Sequence, residues 1–149
     1  MNLKIREANL SDIDNGLLKV FIEGYRFHQN GRPDVFSNLS AESLKKDLID
    51  NFSKFTILIL LDKEEIVGYL AYDIKEKHSK KIHVDQLIIT EKSRGQGYGK
   101  LLMNELIRIG KENNCERVEL DCWTFNENAL AMYEHIGFKK QRIMFEYDL

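Results

Sequence analysis

Hydrophobic and polar positions in the first third of the chain follow both helical and extended periods. The pattern predicts a strand, a helix, a loop and a second helix, at Leu3–Ala8, from Ser11 or Asp12 to about Tyr25, at Phe27–Asn38 and at Ser40–Asn51. The loop contains the chain's single proline, Pro33, and proline interrupts regular structure. In the predicted second helix, Leu44, Leu48 and Ile49 share one face.

The middle of the chain changes to an extended period rich in β-branched and aromatic residues, which favours strands. It predicts a strand, a turn, a second hairpin strand, a charged connection and a further strand, at Lys54–Leu61, Asp62–Glu65, Ile66–Ile74, Lys75–Lys81 and Val84–Thr90. The last third predicts a helix, a strand, a helix and a final strand, at Gly97–Glu112, Arg117–Trp123, Asn126–Ile136 and Phe138–Tyr147. Gly137 is expected to end the last helix, because glycine suits a C-cap.

Length and composition are those of one globular domain, residues 1–149. Hydrophobic residues make up 43% of the chain and charged residues 31%, which are ordinary proportions for a globular protein. The chain has 22 Lys and Arg residues against 24 Asp and Glu residues, a net charge of −2. This balance lacks the basic footprint of a nucleic-acid-binding protein.

The sequence predicts no metal site, no membrane segment and no secretion signal. Cys115 and Cys122 lack the spacing of a zinc or redox pair, and no other residue set has metal-ligand spacing. The longest apolar run, Ile57–Leu61, is far shorter than a membrane span, and the first residues lack the apolar core of a signal peptide. The expected location is cytoplasmic, without a nucleic-acid or membrane partner.

A glycine-rich loop between a predicted strand and a predicted helix is the strongest chemical signal. Its sequence is Arg94-Gly95-Gln96-Gly97-Tyr98-Gly99-Lys100. A helix N-terminus offers free N–H groups and partial positive charge to a phosphate, and glycines let the phosphate approach the backbone. The loop is therefore a candidate site for a phosphate-bearing ligand.

Two common phosphate motifs do not fit this loop. A Walker loop needs Ser or Thr after its Gly-Lys pair, but Leu101 follows Lys100. A dinucleotide fingerprint needs a third glycine three residues after the second, where Lys100 or Leu102 stands. Taken alone, the loop also fits a glycine-rich turn without a ligand.

Arg94-x-x-Gly97-x-Gly99 resembles the pyrophosphate-binding signature of the GNAT acetyltransferase superfamily. A later run is similar to a second motif of that family, with matching residues Asn126, Ala129, Tyr133, Gly137 and Phe138. The predicted order β-α-α-β-β-β-α-β-α-β is also the family's order. The resemblance implies an α/β (α+β) fold whose mixed sheet of about six to seven strands is splayed at the coenzyme site and flanked by about four helices.

The resemblance implies acetyl-CoA as co-substrate and a set of residues that bind it. The glycine loop would hold the pyrophosphate, and the pantetheine arm would enter between two splayed strands and pair with the first. Asn126 is implied to bond this arm, a role compatible with capping its helix. The implied coenzyme-binding residues are Leu87, Ile88, Ile89, Arg94, Gly95, Gln96, Gly97, Tyr98, Gly99, Lys100, Asn126, Ala129 and Tyr133.

The same resemblance implies two groups that act on the thioester. A backbone N–H of Ile88 or Ile89 would polarise its carbonyl, and Tyr133 would protonate the leaving thiolate. A phenol stays protonated at neutral pH, whereas a thiol ionises near pH 8.5, so this proton transfer is plausible. The alternative for Tyr133 is a partly buried aromatic residue whose hydroxyl has some other partner.

His83 and Asp85 are the candidate bases. They stand two apart on a predicted strand and are therefore expected to share one face, which the resemblance directs into the acceptor cleft. Histidine changes its charge near neutral pH. A base is needed more for a lysine-like amine than for an α-amine, which is partly neutral at pH 7. The alternative for His83 is a strand-edge histidine without a catalytic role.

The connection between the first two helices, Tyr25–Phe36, is implied to line the acceptor side of the cleft. Its candidate substrate-binding residues are Tyr25, His28, Arg32 and Asp34, although Arg32 and Asp34 could instead pair with each other. The expected acceptor is a small-molecule amine or a peptide or protein amine. The sequence leaves open whether the protein forms a homodimer. Two other functions remain alternatives: a CoA-binding regulatory module without turnover, and an acyltransferase for a longer acyl-CoA.

Overall fold

The computed structural model describes residues 2–149, in which a five-stranded sheet lies between two helical layers. The strands are β1 (Leu3–Glu7), β2 (Thr56–Asp62), β3 (Glu65–Lys75), β4 (Lys81–Ile89) and β5 (Arg117–Leu120). The helices are α1 (Leu17–Gly31), α2 (Ala41–Lys54), α3 (Tyr98–Glu112) and α4 (Glu127–Ile136). Short 3₁₀ turns occupy Leu10–Asn15 and Glu91–Ser93. The predicted mixed α/β fold is confirmed.

The strands follow one another across the sheet in chain order, β1-β2-β3-β4-β5. The first four are antiparallel neighbours, and β5 runs parallel to β4. The parallel step requires a crossover, which α3 supplies. The turn between β2 and β3 has φ of 51° at Lys63 and 67° at Glu64, the geometry that suits a tight hairpin. This turn lies where the sequence predicts one.

Both faces of the sheet are buried, because successive residues of a strand point to opposite sides. In β2, Ile57 and Ile59 join the core beneath α1 and α2, whereas Leu58 and Leu60 join the core beneath α3. The continuous apolar run of β2 is therefore explained by helices on both sides of the sheet.

The first helical segment differs from its prediction. Asn9 caps a 3₁₀ turn at Leu10–Asn15. Gly16, with φ of 120°, separates this turn from α1, which runs to Gly31. The predicted helix end at about Tyr25 is wrong, and so is the predicted loop over its first residues, 27–31. Pro33 lies two residues after the end of α1. It keeps the helix from extending further, because the residue before a proline disfavours the helical conformation.

The second and fourth helices begin as predicted, and the fourth ends as predicted at Gly137, but α2 runs to Lys54, past its predicted end at Asn51. The Ser40 hydroxyl accepts the Ser43 N–H at the start of α2. The Asn126 side chain accepts the Ala129 N–H at the start of α4, and Gly137 follows its last residue with φ of 120°.

The C-terminal strand prediction is wrong. Residues 137–149 contain no regular secondary structure, and residues 139–149 are exposed. The strand predicted at Arg117–Trp123 ends at Leu120 as β5. Residues 2–149 therefore form five strands rather than six or seven. Alternation in Phe138–Tyr147 indicates a sequence able to form a strand, but a strand also needs a paired neighbour.

Candidate active site

A β-bulge opens the sheet beside the predicted site. Tyr72 of β3 pairs with Val84 of β4, but the next residue back along β3, Ala71, pairs with Gln86. Asp85 is therefore the extra residue of a bulge, which bends and twists its strand. Pairing between β4 and β5 ends at Val84 and Leu120, immediately before the bulge. We call this point, where β5 leaves β4, the fork.

Beyond the fork, β4 continues as Gln86–Ile89 with β3 on one side, and within residues 2–149 no strand pairs with its other side. This is the splayed geometry that the sequence resemblance implies. The open edge contains the predicted pantetheine-binding residues Leu87, Ile88 and Ile89. An open strand edge presents unpaired backbone groups to a ligand.

The glycine loop follows directly from the open edge and leads into α3. Gly95 and Gly97 have φ of 79° and 80°, a conformation that costs glycine little. Nothing lies within 4 Å of a Cβ placed on either residue, so the loop faces open space. Arg94 at its start donates Nε to the Ile89 carbonyl at 3.1 Å and is exposed.

The backbone at this helix start offers several donors. The first helical bond runs from the Leu101 N–H to the Gly97 carbonyl, so the amides at Tyr98, Gly99 and Lys100 precede the intrahelical ladder. The positive end of the α3 dipole lies at the same place. The arrangement is chemically suited to an anion such as a pyrophosphate.

His83 and Asp85 lie at the fork, but the bulge interrupts the simple alternation between them. The register gives Gln86, not Asp85, the position across from Ala71. His83 stands opposite Asp73, with Nδ1 3.6 Å from Oδ1. The Asp85 side chain reaches solvent, yet desolvation by the surrounding protein raises its pKa. His83 opposes this shift and Asp73 adds to it.

Gln86 is a residue at the fork that the sequence does not single out. Its Oε1 accepts the hydroxyl of Tyr69 at 2.9 Å, and Tyr69 is buried at 1% exposure. Burial first, and Asp85 second, raise the pKa of Tyr69. No sequence signal identifies this pair, since it depends on the bulge.

Tyr133 projects from α4 into the core formed by α3 and the sheet. Its ring centroid lies 5.7 Å from that of Phe138. Burial raises the pKa of its hydroxyl, and neighbouring Cys122 contributes in the same direction. Burial likewise raises the pKa of Cys122. The phenol is therefore protonated at neutral pH, as a proton donor must be.

Asn126 and Ala129 are brought together at the start of α4. Asn126 Oδ1 lies 3.4 Å from the Ala129 nitrogen, so the capping role is present. One turn further along the helix, Sδ of Met132 lies 2.7 Å from a Cβ placed on Gly99. The start of α3 and the middle of α4 therefore touch, which joins the two sequence motifs in space.

The predicted acceptor segment packs into an aromatic cluster. Its members are Phe27, His28, Phe36, Trp123 and Phe125, whose neighbouring rings are 5.5 to 6.3 Å apart. Arg94 joins it with its guanidinium carbon 5.5 Å from the Phe27 ring. The last two residues of the cluster follow β5, and the sequence analysis does not identify them. The sequence signal that could have identified them is a pair of aromatic residues two positions apart in the segment that follows a strand.

The four candidate acceptor residues are largely engaged with the protein. The Tyr25 hydroxyl donates to the Ser37 carbonyl at 2.7 Å, and His28 Nδ1 lies 2.9 Å from the Gly24 carbonyl. Arg32 forms two bonds with Asp34, at 2.9 and 2.8 Å. This ion pair raises the pKa of Arg32 and lowers that of Asp34. The mutual pairing is the alternative that the sequence left open.

Arg32 has two further neighbours. Glu146 accepts from Arg32 at 2.9 Å, and the guanidinium carbon lies 4.8 Å from the Trp123 ring. Arg32 thus connects the acceptor segment, the segment after β5 and the C-terminal residues. A guanidinium over an indole is a favourable cation–π arrangement.

A surface depression of about 410 Å³ lies on the β3 side of the fork. Its lining includes Tyr72 and Asp73, which pair with Val84 and His83. Asp73 is five residues along β3 from Gly68, which pairs with Ile89 beside the glycine loop. At about 3.3 Å per residue this is roughly 17 Å. The depression is therefore separate from the glycine loop.

Two general features of the described chain bear on cofactors and membranes. Within residues 2–149, no three His, Cys, Asp or Glu residues are grouped so that they could hold a metal ion. No helix in the same range combines the length and apolar character needed to cross a membrane.

Similar sequences are named acetyltransferases. The chain is 29% identical over 103 residues to N-alpha-acetyltransferase 30 of Xenopus laevis, a match covering 68% of this chain and 37% of that protein. It is 31% identical over 67 residues to glucosamine 6-phosphate N-acetyltransferase of Trypanosoma brucei brucei, covering 45% of this chain and 44% of that protein. The chain thus spans less than half the length of these relatives.

Solved structures share the fold over nearly the whole chain. A mutant of the Bacillus halodurans protein BH1408 superposes with a TM-score of 0.85 at 25% identity, covering 98% of this chain and 99% of that one. Glucosamine-6-phosphate N-acetyltransferase of Arabidopsis thaliana has a TM-score of 0.69 at 20% identity and covers 99% of both chains. A model of the acetyltransferase (GNAT) family matches residues 21–138, and the chain therefore belongs to the GNAT family of acetyltransferases.

Proposed function

We propose that this protein transfers the acetyl group of acetyl-CoA to a primary amine by direct attack of the amine on the thioester. The observation that carries the proposal is the open edge of β4, which runs from the fork at Val84 toward the glycine loop at the start of α3. Such a site suits a ligand with an extended amide-bearing arm and a pyrophosphate. Acetyl-CoA has both parts.

The glycine loop would hold the pyrophosphate through the amides from Gly95 to Lys100. Open space in front of Gly95 and Gly97 supports this role, because a phosphate must approach their backbone closely. The side chains of Arg94 and Lys100, both exposed at the ends of the loop, would add positive charge. Asn126 and Ala129 would contact the arm from the α4 side.

The pantetheine arm would lie along the open edge of β4 and pair with Leu87, Ile88 and Ile89. This placement brings the thioester to the fork. An N–H of Ile88 or Ile89 would then polarise the carbonyl, which develops negative charge when the amine attacks.

In the proposed reaction the amine nitrogen forms a bond to the thioester carbon, and the carbon–sulfur bond then breaks. The departing sulfur takes the proton of the Tyr133 hydroxyl, and the proton lost by the attacking nitrogen returns to the phenolate directly or through water. The products are an amide and free CoA. The raised pKa of Tyr133 supports its role as the acid, since the hydroxyl is protonated before transfer.

His83 and Asp85 are proposed to take a proton from the incoming ammonium group, by way of water. The position of the two residues supports this role, because both flank the point where β4–β5 pairing ends. Asp85 is more exposed to solvent than His83. An ammonium acceptor must lose this proton before its lone pair can attack.

For the acceptor side we propose that the aromatic cluster forms one wall. Its rings lie on α1, on the segment after it and after β5, and Arg94 of the glycine loop contacts the cluster at Phe27. His28 is part of this wall, and Tyr25 contacts it through Phe36. Asp34 shares Arg32 with Glu146, so Asp34 would be a weaker candidate for an ammonium group than an unpaired carboxylate.

A binding assay and a turnover assay together test this proposal. Acetyl-CoA should raise the melting temperature, and a panel of amino acids, polyamines, aminoglycosides and peptide N-termini should reveal an amine that releases free thiol. Binding without thiol release from any amine would favour the CoA-binding regulatory module. Faster release from a longer acyl-CoA than from acetyl-CoA would favour the other alternative. Absence of coenzyme binding would overturn the proposal.

A further inference from the structure

A buried hydroxyl holds a side-chain amide at the fork. Tyr69 of β3 is 1% exposed, and its ring lies in the core beneath α1, 6.3 Å from the ring of Phe21. Its hydroxyl donates to Oε1 of Gln86 at 2.9 Å. A buried phenol needs a hydrogen-bond partner, and Gln86 supplies it.

This bond fixes which end of the Gln86 amide points outward. Oε1 is occupied by Tyr69, whereas Nε2 makes no hydrogen bond within residues 2–149 and reaches solvent. An amide nitrogen can only donate, so the free end of Gln86 is a donor without an acceptor. Burial and the charge of Asp85 raise the pKa of Tyr69, which keeps the proton on the phenol and the amide in this orientation.

Gln86 faces the layer that contains α1 and the aromatic cluster. In the β3–β4 register it stands opposite Ala71, which belongs to the core beneath α1 and α2. Ile88, two residues further along the open edge, points to the same face. A Cβ placed on Gly24 of α1 would lie 2.8 Å from Ile88, and the carbonyl of Gly24 meets His28 of the cluster. The free donor therefore lies on the side of the sheet where we place the acceptor.

A free donor selects the kind of atom that can face it. An ammonium group has no lone pair, so Nε2 of Gln86 does not complement the second amine of a polyamine. An oxygen accepts from it. Within residues 2–149, Asp85 is the one charged residue that affects the neighbouring Tyr69 hydroxyl. Its negative charge disfavours a carboxylate at this place, because like charges repel. A neutral carbonyl oxygen fits best.

The spacing along β4 limits how far this oxygen can lie from the attacking amine. Gln86 is two residues from Ile88, which is about 7 Å along a strand, and an N–H near Ile88 is proposed to hold the thioester. The amine must come within about 3–3.5 Å of the thioester carbon, and a hydrogen bond to Nε2 spans about 3 Å. The amine and the oxygen are therefore only a few bonds apart.

We propose that Gln86 donates from Nε2 to a neutral carbonyl oxygen on the carbon next to the one that bears the attacking amine. The favoured acceptor is then an α-amino amide, the group found at the first residue of a peptide, rather than a polyamine or a free amino acid. Tyr69 is a positioning residue that acts through Gln86. This inference rests on the acetyl transfer proposed above.

The test compares two amines that differ in the carbonyl group. Alaninamide has the oxygen, and but-3-yn-2-amine carries an alkyne in its place, which also keeps the amine weakly basic. Thiol release from acetyl-CoA gives kcat/KM for both amines at one pH. For each variant, the loss relative to the unmodified protein is compared between the two amines, so that differences in intrinsic reactivity cancel.

Gln86→Glu is the main variant, because a carboxylate still accepts from Tyr69 and has nearly the same shape, but offers no donor. It should lower kcat/KM for alaninamide about three- to tenfold more than for but-3-yn-2-amine, the effect of one lost hydrogen bond. Gln141→Glu is the matched control, since it makes the same exchange on an exposed residue of the C-terminal segment. It should leave the ratio between the two amines unchanged.

Tyr69→Phe tests the positioning role. It leaves Gln86 in place with an amide that is free to turn, so the preference for alaninamide should shrink through a higher KM rather than a lower kcat. Acetyl-CoA should still raise the melting temperature of this variant, which shows that it is folded. An unchanged preference in the folded variant would overturn the role of Tyr69.

The remaining outcomes separate this inference from the proposed function. Equal losses with both amines in Gln86→Glu would overturn the inference, because Gln86 would then act on the thioester or on the amine itself. Faster turnover of spermidine or of free alanine than of alaninamide, compared per neutral amine, would also overturn it and leave acetyl transfer intact. Absence of thiol release with every amine would overturn the proposed function, and this inference with it.

Discussion

A Cβ atom placed on Gly99 lies 2.7 Å from Sδ of Met132 on α4, whereas one placed on Gly97 meets nothing within 4 Å. Two glycines of one loop therefore serve different purposes. Gly99 allows α3 and α4 to pack closely, and Gly97 leaves the space in front of the helix N-terminus open. Substitutions at the two positions should consequently have different effects.

The first prediction concerns the open position. Gly97→Asn should fold, because asparagine tolerates φ near +80° better than other side chains. It should abolish most of the stabilisation by acetyl-CoA, which at about 100 times the dissociation constant is about 2.7 kcal/mol. Thermal melting with and without acetyl-CoA measures this. Gly137→Asn is the control, since Gly137 also has positive φ and open space. An unchanged shift in Gly97→Asn would remove the loop from the site.

Gly99→Ala, in contrast, should lower the melting temperature without ligand. The added methyl group meets Met132, and overpacking in a close contact costs about 1–3 kcal/mol. Gly99→Ala combined with Met132→Ala should recover part of the loss. If the single variant is as stable as the unmodified protein, the flexible Met132 side chain accommodates the methyl group and glycine is not required at position 99 for the contact between the two helices.

The second prediction is that Tyr133→Phe lowers kcat by about 10²- to 10⁴-fold with little change in acetyl-CoA affinity. Burial raises the pKa of Tyr133 above its ordinary value of 10.0. The acid form therefore persists through pH 10, and Tyr133 should add no falling alkaline limb below that pH. A nearly normal kcat would leave Tyr133 with a packing role alone.

The third prediction concerns pH. Desolvation raises the pKa of Asp85 above its ordinary value of 3.8, and Asp73 adds to the rise. A base must be ionised, so activity toward a lysine-like amine should fall as pH drops through a value higher than that of an ordinary aspartate. Asp85→Asn or His83→Ala should flatten this acidic limb, with less effect for an α-amine. Asp73→Asn should move the limb to lower pH, because it removes a repelling charge. Unaltered profiles in all three variants would place the base elsewhere.

The fourth prediction concerns the acceptor. Single changes of Arg26, His28, Arg32 and Asp34 to Ala should include at least one that raises KM for the acceptor and leaves KM for acetyl-CoA unchanged. Arg32→Ala is the strongest candidate, since Arg32 also holds Trp123. Arg26→Ala should instead reduce stability by about 1.5–3 kcal/mol, because its Nη2 donates to the Leu39 carbonyl at 2.6 Å. Unchanged acceptor kinetics in all four variants would make the segment a structural connection.

The fifth prediction tests the entry to α1. Asp12 is buried. Its carboxylate accepts two hydrogen bonds from Arg6, at 2.9 and 2.8 Å, and one from the Asn9 N–H at 2.8 Å. Arg6 is the main cause of its lowered pKa. This stabilisation is present above pH 3.8 and is lost as pH falls through the lowered value. Asp12→Asn should cost about 1–2 kcal/mol at pH 7, discounted because Arg6 is partly exposed. The cost should shrink toward pH 3, as urea unfolding at both pH values would show.

Local patterns were enough to predict most elements of the fold. Strong amphipathic periods predict α2, α3 and α4 within a few residues, and the caps at Ser40, Asn126 and Gly137 lie where their side-chain chemistry indicates. The glycine loop could be predicted because a strand, a turn and a helix start are local features. The splayed sheet was predicted from the GNAT resemblance alone, because it depends on contacts between distant segments that local sequence patterns do not specify.

Tertiary structure alone decided the parts that depend on pairing between distant segments. The bulge at Asp85 arises from the register between β3 and β4, so simple alternation could not separate Asp85 from Gln86. Aromatic residues from α1 and from the segment after β5 meet only once both are packed against the sheet. Phe138–Tyr147 has the alternation of a strand, but a strand exists only where another strand supplies hydrogen bonds. The sequence by itself therefore determined which segments can be helix or strand, and the packed chain decided which of them are paired.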